Sequence, residues 1–243
     1  MPDKRSHRGP HPEDSQLFGP AALPVLREAA SHYLWLLDRG YPPNATIKIV
    51  GDRHRLTQRQ RLAVGRCSCS RQKQVGRAGN RLDLEGAHGQ FLSLDGYNVL
   101  TTVEAALGGA VVLVARDDCY RDMASMHGTY RKVAETVPAL MSIGQKLQQA
   151  RIDHVRWYLD SPVSNSGRLA AVIRELAQQQ GWAWEVELVL DPDRVLAKAD
   201  TPVATADSEI LDVCGCWVNL ARAVVEQHMP QAWVVDFVSA LPT

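Results

Sequence analysis

Nowhere do the 243 residues contain an apolar run approaching the roughly 20 needed to cross a bilayer as a helix, and no positively charged start leads into an apolar stretch. The expectation is therefore a soluble cytoplasmic protein without a membrane partner. No strand-like segment is followed by G-x-G-x-x-G, which argues against a dinucleotide enzyme. Neither serine nor cysteine sits in a nucleophile elbow, which argues against a hydrolase working through an acyl intermediate. Cysteine is sparse: Cys67, Cys69, Cys119, Cys214 and Cys216. Without a secretion signal a disulfide framework is not expected, and the two C-x-C pairs lack the C-x-x-C spacing of structural zinc sites, so small buried or half-buried thiols are the favoured reading.

Excess charge is also missing, since 27 Lys and Arg balance 27 Asp and Glu. The balance hides a division. Residues 1–85 carry 15 basic against 8 acidic side chains, and residues 86–243 carry 12 against 19. Either the halves dock on each other, or the basic part attracts a polyanion while the acidic part holds cations. From Asp52 to Arg81 there are 9 basic residues and 1 acidic one, including Arg53, Arg55, Arg59, Arg61 and Arg66. Such a segment supplies sequence-independent phosphate contacts, although no aromatic interleaving for base stacking accompanies it. A solvated arginine face is the alternative.

What is present divides into three parts. Residues 1–18 are polar and proline-rich and read as a flexible start. Residues 19–85 read as a small, basic, mainly helical domain. In it Leu26, Ala29, Ala30, Tyr33, Leu34 and Leu37 fall at helical spacing, "ATIKIVGDRH" reads as a short strand, and Thr57 and Gln60 have the spacing of a capping box. Glycines at 76, 79, 86 and 89 mark the boundary. Residues 86–243 alternate apolar runs with amphipathic helices, predicting an α/β domain with a doubly wound, mostly parallel sheet. The helices are expected over 98–108, 119 to about 150 with a break near Pro138, 166–180 and 208–228.

Four of the runs, "QFLSLD", "AVVLVARDD", "HVRWYLD" and "VATAD", end on aspartate. In a parallel sheet all the C-terminal strand ends share one edge, where ligands bind. Asp95, Asp117 or Asp118, Asp160 and Asp207, joined by Glu209, would therefore converge as metal ligands, and crowded carboxylates with oxygen-only chemistry call for Mg²⁺ or Mn²⁺. Each aspartate has a second reading as a plain helix N-cap. Asn98 is a candidate for orienting a water or phosphate, with holding its turn as the alternative. "DSPVSNSG" offers Ser161, Ser164 and Asn165 as a phosphate cradle or an ordinary turn, and Arg116 and Arg121 are candidate phosphate contacts. His127, a lone histidine, is better read as a packed or surface residue than as a general base.

"FLSLDGYNVL", "WYLDSPVSNSG" and "VATADSEILD" together resemble the NYN and PIN-like nuclease superfamily over residues 90–236. That resemblance implies a doubly wound α/β sandwich cutting RNA with a divalent ion, and Asp95, Asp160 and Asp207 as its catalytic ligands. The nuclease pattern does not include "DSPVSNSG". The haloacid-dehalogenase pattern expects a second aspartate where Tyr97 stands. "LLDRGYPPNATIKIVGDRHRLTQRQRLAVGR" resembles the domain of unknown function 434 family, a likeness extended to the whole chain. The expectation is a metal-dependent nuclease with nucleic acid, RNA first, as partner; the alternative is a non-catalytic RNA-binding or scaffold protein of the same fold.

Overall fold

The computed structural model describes residues 7–124, 128, 130–152 and 154–239. The chain opens with one helical turn, α1 (Asp14–Leu17), and four helices: α2 (Leu23–Leu37), α3 (Pro43–Arg53), α4 (Gln58–Cys67) and α5 (Arg71–Gly79). All six apolar positions spaced at helical intervals in α2 are buried. The capping box of α4 forms, with the Gln60 amide donating to Thr57 Oγ1 and the Thr57 amide donating to Gln60 Oε1.

The expected strand at "ATIKIVGDRH" is a helix instead. Pro43 at its first position is preorganised for a helical start, and burial falls on Thr46, Val50 and Gly51 while Ile49 is exposed, which is a helical period and not an alternating one. Residues 7–18 are held where a loose start was expected. Arg8 Nε donates to the fully buried Glu104 at 2.8 Å, and the buried carboxylate of Asp14 takes both Nε and Nη2 of Arg59.

The second half begins with β1 (Leu92–Asp95), α6 (Gly96–Leu107), β2 (Val112–Val114) and β3 (Tyr120–Asp122). It continues through α7 (Thr136–Gln149), β4 (His154–Asp160), α8 (Ser166–Gln180), β5 (Ala183–Val189) and α9 (Pro192–Leu196). The last elements are β6 (Val203–Ala204), α10 (Ser208–Leu211), β7 (Trp217–Val218), α11 (Leu220–His228) and β8 (Val234–Val235).

Five strands form an all-parallel sheet in the order β5-β4-β1-β6-β7. It is doubly wound α/β. One face joins α6, α7, α8 and α11 in the main core with Leu92, Leu94, Trp157 and Leu159, and the other puts Tyr158, Val203 and Trp217 under α9 and α10. The chain runs outward from β1 through β4 to β5 and then crosses back to β6 on the far side of β1. The β1/β6 boundary is thus the switch point of the winding.

A second sheet, β3-β2-β8, stands apart from the first. In the apolar run around β2, Val112 and Val114 face the main core, while Val111, Leu113 and Ala115 pack with the N-terminal helices. That two-residue period makes β2 a wall between two cores, which explains why the run has no polar face. Helix α6 contacts both sheets and is buried from Gly96 to Ala106 apart from the half-buried Asn98. The helix expected to begin at residue 119 begins at Thr136, because Tyr120–Asp122 pair antiparallel with β2. The single helix expected over 208–228 is likewise interrupted by β7.

Among the described residues no helix is long and apolar enough to cross a membrane. All five cysteines are free, four of them buried and Cys216 half-buried.

Candidate active-site cleft

Asp95 ends β1 and caps α6, its Oδ1 accepting from the Asn98 amide at 3.4 Å and its Oδ2 from Thr205 Oγ1 at 2.7 Å. Gly96 makes this corner possible: a β-carbon there would stand 2.5 Å from a Leu159 methyl and 2.8 Å from the Tyr158 carbonyl oxygen. Asn98 spans to the next strand end, its Oδ1 accepting from the Ala206 amide. Asp207 follows β6 and caps α10, with Oδ1 taking the amides of Glu209 and Ile210.

Beyond these ends lies a cleft of about 380 Å³, lined by Asp95, Asn98, Asp207, Glu209 and Arg66, all expected as site residues from the sequence, and by Asp193, Asp122 and Tyr97. It sits at the switch point. Burial, aided by the charges of Asp207 and Asp193, pushes the Asp95 carboxyl up to about 7. Burial and the surrounding acids Asp207, Asp160, Asp191 and Glu209 push Asp193 up to about 6. Asp160, at the end of the neighbouring strand β4, is outside the cleft lining but close enough to raise Asp193 and Tyr97; its own pKa is raised by burial and by Asp191. The Tyr97 hydroxyl is buried with no hydrogen-bond partner among the described residues.

Arg66 and Asp122 close the opposite side. Arg66 donates through Nη1 to the Asp122 carbonyl and through Nη2 to that of Ala124, and its side chain is 32% exposed. Asp122 accepts from Thr101 and Thr102 Oγ1 through Oδ2, fixing β3 to α6. Arg121 touches the cleft, but its guanidinium is committed to Ala206 O, Arg66 O and Asp117, so it builds the wall and offers no free face to a phosphate.

The other expected site residues lie elsewhere. Asp117 belongs to the turn after β2, in the second sheet, and is buried between Arg77 and Arg121; although burial opposes it, those two guanidinium groups hold its carboxyl down to about 2. Asp118 faces Arg81 and Arg222. Neither reaches the cleft, because β2 does not share the edge of the main sheet. Arg116 is turned to Asp38 in a two-pronged pair. In the proposed cradle, the Ser161 amide donates to Val189 O, the Ser164 amide to Gly128 O, and Asn165 Nδ2 to Tyr130 O, so the loop is tied into local structure. Arg59 pairs with Asp14 and Arg61 with Asp52, whereas Arg53 and Arg55 are exposed. His127 lies outside the described residues.

Asp193 and Asp122 were missed by sequence reasoning for separate reasons. "DPD" after β5 carries the Asp191-Pro192 signature of a helix start, with Asp193 one residue farther, and that was the available signal. Asp122 lay within a segment read as helix.

The donor set on the rim is all oxygen, which suits a hard divalent cation. Among the described residues, however, no three carboxylates here bring ligand atoms within 4.8 Å of one another. An ion would thus be held through one or two carboxylates and retained waters, as Mg²⁺ characteristically is.

Residues 84–223 match the family described as Domain of unknown function (DUF5616), and residues 25–79 match Protein of unknown function (DUF434). The resemblance to the latter is thereby confined to the N-terminal helices and does not extend over the whole chain. An uncharacterized protein of Methanocaldococcus jannaschii is 30% identical over 187 residues, spanning 76% of this chain and 88% of that one. No solved structure matches the chain.

Proposed function

For a chain that belongs to the DUF5616 family, with its cleft at the switch point of a parallel sheet, we propose a divalent-metal-dependent phosphodiesterase acting on RNA, as the NYN and PIN-like resemblance implies. One observation carries the reading: carboxylates from three separate elements, Asp95, Asp193 and Asp207, the first about a hundred positions from the others, line a single cleft with Arg66 across it. The unpartnered Tyr97 hydroxyl beside them supports it, since a buried polar group without a partner costs about 1–3 kcal/mol and is suited to meeting a ligand.

Asp95 and Asp207 would hold Mg²⁺ or Mn²⁺, and Asp160 would add negative potential from the adjacent strand end. When bound, the ion supplies Lewis-acid neutralisation of phosphate charge. Asp193 Oδ takes the proton of the attacking water, and Arg66 contacts a phosphate oxygen while the water displaces the leaving oxygen in line at phosphorus, the leaving oxygen taking a proton from solvent. Arg53 and Arg55, exposed near the start of the basic segment, would hold the polyanion by salt-sensitive phosphate contacts.

A non-catalytic RNA-binding protein is the second reading, favoured by the helix-capping bonds that Asp95 and Asp207 already make. The test is Mn²⁺-dependent cleavage of single-stranded RNA by the full chain and by Asp95→Asn. The expected result is a loss of about 100-fold or more in the variant with RNA retention unchanged. RNA binding without cleavage by the unmodified chain selects the second reading; neither binding nor cleavage overturns both.

A further inference from the structure

We propose that Glu28, His32 and His54 form a binding site for a divalent transition-metal ion of the zinc class, with one coordination position open to solvent. Glu28 and His32 are one helical turn apart on α2 and share a face. His54 follows α3, its amide donating to Val50 O, which brings its ring over the same face. His32 Nδ1 and His54 Nε2 are 2.9 Å apart, the ring centroids are 5.0 Å apart, and Glu28 Oε2 lies 3.9 Å from His54 Nδ1.

One ligand atom from each residue falls within 4.8 Å of the others, the only such set of three among the described residues. Atoms bonded at about 2.0–2.2 Å to a common tetrahedral centre stand roughly 3.3 Å apart, so small side-chain rotations convert this arrangement into a ligand set. A hydrogen bond between two neutral imidazoles accounts for the short nitrogen contact, while Glu28, 3.9 Å from His54 Nδ1, stands beyond hydrogen-bond range of that pair. Two imidazoles and one carboxylate suit zinc-like ions and not Mg²⁺. Three protein ligands leave a fourth position, and Glu28, whose side chain is 62% exposed, places it toward water.

The site is independent of the cleft, since none of its residues lines it. The thiols are poor competitors: burial pushes Cys69 up to about 11 and holds Cys67 and Cys119 in the protonated form more firmly still. A bound ion would clip α2 to the end of α3, beside the packing of Leu26, Ala29, Ala30 and Val50.

The test is titration of the metal-stripped full chain with Co²⁺, followed by displacement with Zn²⁺. One equivalent should develop the visible d–d bands of a tetrahedral nitrogen and oxygen site, without near-ultraviolet sulfur-to-metal charge transfer. His32→Gln and Glu28→Gln should each weaken binding at least about tenfold, while an Asp95→Asn, Asp207→Asn double variant keeps the bands. Glu28 is exposed, so its variant reports on binding whether or not the His32 variant folds. Bands that persist in both single variants, charge transfer from sulfur, loss in the aspartate double variant, or no uptake by the unmodified chain each overturn the assignment. Because cleavage is not read, failure here leaves the nuclease proposal untouched.

Discussion

Asp95 pays for its place. A carboxyl of ordinary pKa in the unfolded chain and about 7 in the fold keeps its proton in the native state between about pH 4 and pH 7 while the unfolded state loses it, so stability falls as pH rises through that window. Asparagine keeps the cap through Oδ1 and meets Thr205 Oγ1 with an amide donor in place of an acceptor, without the charge. In EDTA at pH 8, Asp95→Asn should therefore raise the melting temperature by about 5 °C, for roughly 2 kcal/mol, in the variant expected to lose cleavage. An unchanged or lowered melting point by scanning calorimetry would contradict this account. Asp117 has the opposite sign. Held at about 2 by Arg121 and Arg77, it contributes stability above about pH 4 that is lost as pH falls toward 2. Asp117→Asn should remove that acid-sensitive step from a pH series of denaturant midpoints and cost about 3–5 kcal/mol at neutral pH by leaving two guanidinium groups under-compensated.

At the scale of elements, the site depends on how closely α6 starts against β4. Gly96→Ala would drive a methyl into the Tyr158 carbonyl and the Leu159 side chain, so α6 must shift. A loss of about 1–3 kcal/mol is expected and, on the proposed function, RNA cleavage lowered well beyond what the melting-point change accounts for. Such elements differed in how legible they were. Helices α2, α4 and α8 and strands β1 and β4 could be read directly, because period and capping agreed with the tertiary environment. Helix α3 was obscured because Ile47 and Ile49 alternate with polar neighbours while packing follows Thr46 and Val50. Strand β3 has three residues, too few to show a period, and its loss hid Asp122. The second sheet was illegible as such: β2 read correctly as an apolar strand, but nothing local says which sheet a strand joins, and so Asp117 and Asp118 were placed on an edge they do not reach.

On the scale of the whole molecule, the two matched families meet in one folded body. Arg77 of α5 bonds Asp117, Asp212 and the Ser208 carbonyl, its own carbonyl accepts from the Trp217 indole, and the helices cover Leu113, Ala115 and Phe237. The opposed charges of the two halves are thus spent partly on each other. A fragment of residues 84–243 should lose these partners and expose that apolar face; it is expected to bind the dye ANS and to lack a cooperative thermal transition. A fragment with native near-ultraviolet circular dichroism and a sharp transition would show that the helices are dispensable. Contributors to the cleft extend from Arg66 to Glu209. A nascent polypeptide therefore cannot assemble this rim until synthesis has passed Glu209 and that stretch has cleared the ribosome exit tunnel, so whatever chemistry the cleft performs is withheld from any chain that stops short of it.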